Sequence, residues 1–212
     1  MKQGLKQEFQ EHVEELRFFL RTRMRVVLLI VTAVFLLAAV GGYALYNAAP
    51  EQGDQLIAYF QGVVDEAGVI DENGSISLFP LMLNNWKAMI FSILYGFVPF
   101  LFLPITAAIT NAAILGVLAA WYQHNGISLG YYFAGILPHG IFEIPALIIA
   151  ISLGTLLCFH MVLRIFRHKK AISMIDLISN ILRTLLLVIF PLIALSAVIE
   201  TYITPLVMNL FL

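Results

Sequence analysis

Hydrophobic and polar positions along this chain come in long blocks. Residues 1–25 are polar, with Leu5, Phe9, Val13, Leu16, Phe19 and Leu20 recurring at three- and four-residue spacing. That period predicts an amphipathic helix, lying on the inner leaflet or packed on the inner face of a bundle. Residues 26–46 are the first apolar run long enough to cross a bilayer, which takes roughly 20 residues. An insert follows at 47–83, broken by Pro50, Gly53, Gly62, Gly68 and Gly74. Within it Leu56, Phe60, Val63, Val64 and Ala67 suggest a short amphipathic helix.

Further spans are predicted at 84–103 and 104–122, with Pro99 and Pro104 marking a tight uncharged connection. Residues 126–138 are rich in glycine and aromatics and too short to span. They read as a separate segment, re-entrant if protein covers its backbone. A fourth span is predicted at 139–163. A short polar–apolar helix and a fifth span from about Arg183 to Val207, bent near Pro191, complete the chain. The expected fold is an all-α transmembrane bundle of about five spans, six if 126–138 inserts deeply. It divides into a 1–25 helix and a 26–212 bundle that carries the small extracytoplasmic insert.

Composition sharpens this picture. Of 212 residues 61% are hydrophobic and 12% charged, half the charge of an average soluble chain, about 25%. No Asp, Glu, Lys or Arg lies between Lys87 and Glu143. A soluble globular domain is excluded, and no basic stripe points to nucleic acid. The polar start, followed by an apolar run of more than about 20 residues, reads as a retained anchor rather than a cleaved signal. Cys158 is the one cysteine, so no intramolecular disulfide can form.

Charge also sets the expected orientation. Arg17, Arg21, Arg23 and Arg25 form one basic cluster, and Arg164, Arg167, Lys169 and Lys170 another. Lys and Arg accumulate on the cytoplasmic side. Five spans with a cytoplasmic N-terminus put both clusters and Arg183 on that side of the cell membrane. The insert then lies outside, with Glu51, Asp54, Asp65, Glu66, Asp71 and Glu72 and no Lys or Arg. Asp71-Glu72-Asn73-Gly74-Ser75 resembles the start of a calcium loop, but Met82 stands where the bidentate Glu belongs, and a turn is expected. Small residues recur every fourth position: Ala108, Ala112, Gly116 and Ala120; Ala146, Ala150 and Gly154; Ser92 and Gly96. Such stripes let helices approach closely in lipid. A homo-oligomer is compatible with this organisation.

Candidate chemistry concentrates in Leu137-Pro138-His139-Gly140-Ile141-Phe142-Glu143-Ile144-Pro145-Ala146. With Pro138 opening a helix, His139 and Glu143 fall at i and i+4 on one face. Glu143 and Glu200 are carboxylates inside apolar runs, which is costly and usually means an inward-facing, partnered group. Glu143 is 21 residues from Arg164 and Glu200 is 17 from Arg183, or roughly 32 and 26 Å at about 1.5 Å per residue. Similar heights allow His139, Glu143 and Glu200 to meet. Three uses are open. The first is a hydrogen-bonded structural cluster completed by Asn84, Asn85 or Asn111. The second is a zinc site with one position left for another ligand. The third is a proton or ion relay in an ion-coupled transporter. His12, His124, His160 and His168 look incidental. Trp86, Trp121, Tyr122, Tyr131 and Tyr132 suit aromatic belts at span ends.

Several motifs together resemble the stage II sporulation protein M family. They are Asn84-Asn85-Trp86, Asn111-Ala112-Ala113-Ile114-Leu115-Gly116, the Pro138-to-Ala146 segment, and Ile199-Glu200-Thr201-Tyr202-Ile203-Thr204-Pro205. The resemblance covers roughly 26–205; Ala112 departs from a family pattern in which Gly is expected after Asn. It implies a bacterial membrane scaffold that recruits peptidoglycan-remodelling partners to the septal membrane. It brings no established catalytic residues, so the expectation leans away from an enzyme. No cofactor is certain; zinc is the one the cluster suits.

Overall fold

The computed structural model describes residues 2–70, 75–169 and 172–211. The expected turn at Asp71–Gly74, and Lys170 of the second basic cluster, lie outside them. The side chains of residues 2–6, Phe9 and Val64 do too. The described chain is helical throughout, apart from loops and one isolated bridge between Ile70 and Ile76.

Helix α1 (Lys2–Phe19) runs through a π-helical turn, Leu20–Met24, into α2 (Arg25–Ala48). Leu16 and Phe19 are buried, and α1 lies on the end of the bundle beside α7 (Met174–Thr184). Helix α3 (Pro50–Glu66) starts where Pro50 turns the chain after Ala49. Helix α4 (Leu78–Leu94) precedes α5 (Leu103–His124). The predicted span at 84–103 is thus shifted: α4 starts six residues earlier, directly after extended Ser77, and ends before the turn that contains Pro99.

Helix α6 (Leu129–Ile165) is a single helix of 37 residues. Sequence reasoning splits it at Pro138, but the break does not occur. Ser128 caps the helix by accepting the N–H of Tyr131 at 3.1 Å, so the start moves upstream of both Pro138 and Pro145. Neighbouring protein lets membrane helices tolerate internal proline. At about 1.5 Å per residue α6 is roughly 55 Å long, well beyond a bilayer core of about 30 Å. Helix α7 continues through a second π turn, Leu185–Ile189, into α8 (Phe190–Tyr202), with Pro191 at its start; α9 (Thr204–Met208) follows. The predicted bend near Pro191 thus coincides with a π segment, a common cause of helix distortion.

Among the described residues, four helical stretches are long and apolar enough to cross a membrane: Gln10–Ala48, Leu103–His124, Leu129–Ile165 and Met174–Tyr202. Helix α4, with 17 residues, runs antiparallel to α8: Leu81 shares a cluster with Ala197, and Trp86 stacks on Phe190 at 4.9 Å. Trp86 is therefore inside the bundle and not in an end belt. The small-residue stripes are all buried. Gly42 lies on the backbone of Ala113, Gly116 on that of Ala39 and Tyr43, and Gly96 on that of Gly154. A side chain at any of these would strike main chain, which cannot yield. The chain is therefore a tightly packed multi-pass bundle. Its Arg-rich segments share one end, where Arg183 of α7 pairs with Glu15 of α1.

Candidate functional site

The far half of the bundle holds a polar centre built by α6, α8 and the start of α9. Residues four apart on a helix share a face, and α6 presents His139 and Glu143 in this way. Opposite them, Ser196 and Glu200 of α8 and Thr204, the first residue of α9, recur at the same spacing. The two helices are antiparallel, so His139 meets Thr204 while Glu143 meets Ser196. His139, Glu143 and Glu200, all half-buried, each place one ligand atom within 4.8 Å of the others.

The contacts fix the orientation of each group. The Ser196 hydroxyl reaches the carbonyl of His139 at 3.4 Å and Oε2 of Glu143 at 3.3 Å. Thr204 donates to the Ile199 carbonyl at 3.2 Å, and its oxygen lies 3.3 Å from Nδ1 of His139. A hydroxyl has one proton. With that proton on Ile199, Nδ1–H of His139 donates to Thr204, and Nε2 keeps the free lone pair. Among the described residues neither Glu143 nor Glu200 has a Lys or Arg partner; Arg183 pairs with Glu15 at the opposite end.

Asn111 is not part of this group. Asn111 sits on the exposed side of α5 and donates to Ala107 of its own helix at 2.8 Å. Asn84 and Asn85 are half-buried on α4, and the Asn85 amide nitrogen is buried with no partner. Sequence reasoning passed over Ser196 and Thr204, although their four-residue spacing about Glu200 carries the signal. It also passed over His160. This residue is buried and accepts the N–H of Ile172 at 3.2 Å, fastening the α6–α7 connection. His124 is the last residue of α5; it lies 3.2 Å from Oδ1 of Asn47 and edge-on to Tyr46.

The acidic insert is fastened to the same half of the molecule. Gly53 fits under the Tyr46 ring, the Tyr46 hydroxyl donates to Asp54 at 3.1 Å, and Ile57 is buried in a cluster with Ile114, Val117 and Ala120. On its outer side α3 exposes Tyr59, Phe60 and Val63 among the acids.

Two comparisons bear on this architecture. The family described as stage II sporulation protein M matches residues 14–205. An uncharacterized protein of Methanocaldococcus jannaschii is 34% identical over 127 residues, which cover 60% of this chain and 71% of that protein. No solved structure matches the chain.

Proposed function

The chain belongs to the stage II sporulation protein M family, and from that premise we propose that it is a non-enzymatic membrane scaffold for cell-envelope remodelling. In this reading the N-terminus is cytoplasmic, as the positive-inside rule requires of an Arg-rich end. The insert is then extracytoplasmic and receives the partner. The observation that carries the reading is the way α3 is held. Tyr46, Gly53, Asp54 and Ile57 lock its inner face to α2 and α5. Its outer face offers Tyr59 (72% exposed), Phe60 and Val63 between Glu51 and Asp65.

Exposed aromatic surface on a rigid element is typical of protein interfaces. The acids make an anionic lipid surface a poor counterpart, since like charges repel. A peptidoglycan-remodelling protein with a basic, apolar face fits both features. The test is the Tyr59→Ser/Val63→Ser double variant of the full chain, expressed in its host and cross-linked in the envelope. Recovery of peptidoglycan hydrolases with the variant should fall at least about tenfold, the usual effect of losing an interface anchor. Undiminished recovery with the variant contradicts the reading.

A further inference from the structure

We propose that His139, Glu143 and Glu200 form a binding site for a divalent cation of the zinc type, buried between α6 and α8. The inference is independent of the docking role of α3 and rests on three observations.

The first is charge. Two carboxylates face each other inside an apolar bundle, and among the described residues no Lys or Arg side chain answers them. Buried charges are paired or bind metals. A cation of charge two balances the pair without any further protein group.

The second is the ligand set. One imidazole and two carboxylates are hard or borderline donors that suit zinc, and Cys158, the one soft thiol, bonds elsewhere, to the carbonyl of Val98. The ligand atoms lie within 4.8 Å of one another. Ligands at about 2.0–2.1 Å from zinc stand roughly 3.3 Å apart in a tetrahedron. Side-chain rotation alone closes that gap, because each group is on a flexible stem and α6 and α8 already touch.

The third is the outer contacts. A histidine that ligates metal through one nitrogen generally donates its other N–H to an oxygen, which fixes the ring and its tautomer. His139 does this through Nδ1 and Thr204, whose own proton is committed to Ile199. Ser196 bonds Oε2 of Glu143 and so fixes that carboxylate. Three protein ligands leave a fourth tetrahedral position open, as in zinc sites that bind water or a further ligand.

The test uses the full-length protein purified in detergent, stripped of metal and refilled with zinc. Wild type should hold about one zinc per chain, the occupancy of a single mononuclear site. His139→Ala and Glu200→Gln should lose it, while Asn111→Ala, altered on the exposed side of α5, should keep it. X-ray absorption at the zinc edge of wild type alone should show one imidazole and oxygen neighbours, so the proposal stays testable if a variant does not fold. A wild-type protein that takes up no zinc overturns the proposal. So does full occupancy in both site variants, or a first shell that contains sulfur or several imidazoles.

Discussion

Glu15 and Glu200 are both carboxylates on helices of one bundle, and they are handled in opposite ways. Glu15 is 61% exposed and pairs with Arg183, beside an open groove lined by Glu14, Arg23, Asp176 and Asn180. Water and a guanidinium share its charge. Glu200 is half-buried, faces a second carboxylate and an imidazole, and has no such partner among the described residues. The contrast shows which charged groups need explaining. A pair with one partner in water, Glu15, and the other, Arg183, 17% exposed, contributes modestly. A membrane-buried carboxylate is expensive, persists only with partners, and marks function.

The comparison can be broken in order of expected effect. The Glu143→Gln/Glu200→Gln double variant removes both charged ligands and should weaken zinc binding at least about 100-fold, more than the loss of one outer contact, measured by competition with a chelating dye. Thr204→Val keeps the shape of the side chain but takes away the oxygen that fixes His139. It should weaken zinc binding about 10–100-fold while the helical content by circular dichroism stays unchanged. Ser196→Ala removes a shared hydroxyl donor and should lower stability by about 1 kcal/mol, read from thermal unfolding of the metal-free protein. Arg183→Gln at the opposite end should change stability by less than about 1 kcal/mol and leave zinc binding untouched. Its effect should shrink as salt rises, because the exposed Glu15 side of the pair is screened. A larger penalty at Arg183 than at Ser196 would invert the comparison.

Much of this was readable in the sequence, and the reasons differ by region. The charge-free stretch from Lys87 to Glu143 announces membrane helices, because nothing else tolerates so long an apolar run. The four-residue stripes on α5 and α6 mark close packing for the same reason: only small residues let backbones touch. Helix boundaries were harder. Pro138 looks like a helix start, yet Ser128 supplies a capping oxygen ten residues earlier and the helix runs through the proline. The cap only sets where the helix starts; that it runs on through Pro138 and Pro145 reflects the neighbouring protein, which lets membrane helices tolerate internal proline.

The centre itself was half legible. The spacing of His139 and Glu143 puts them on one face from sequence alone. That Glu200 joins them depends on α8 packing antiparallel to α6, a long-range contact that no local period encodes. Asn111 illustrates the opposite error. A polar residue in an apolar helix invites a role in a buried cluster, but it can satisfy itself on a carbonyl of its own helix.

The most direct test of the central claim is the effect of zinc on thermal stability in wild type and in Glu200→Gln, compared side by side in the same detergent. A ligand that binds the folded state at 100 times its dissociation constant adds about 2.7 kcal/mol, so wild-type unfolding should move clearly upward with zinc and the variant's should stay where it is. An equal shift in both proteins, or none in wild type, would contradict the account.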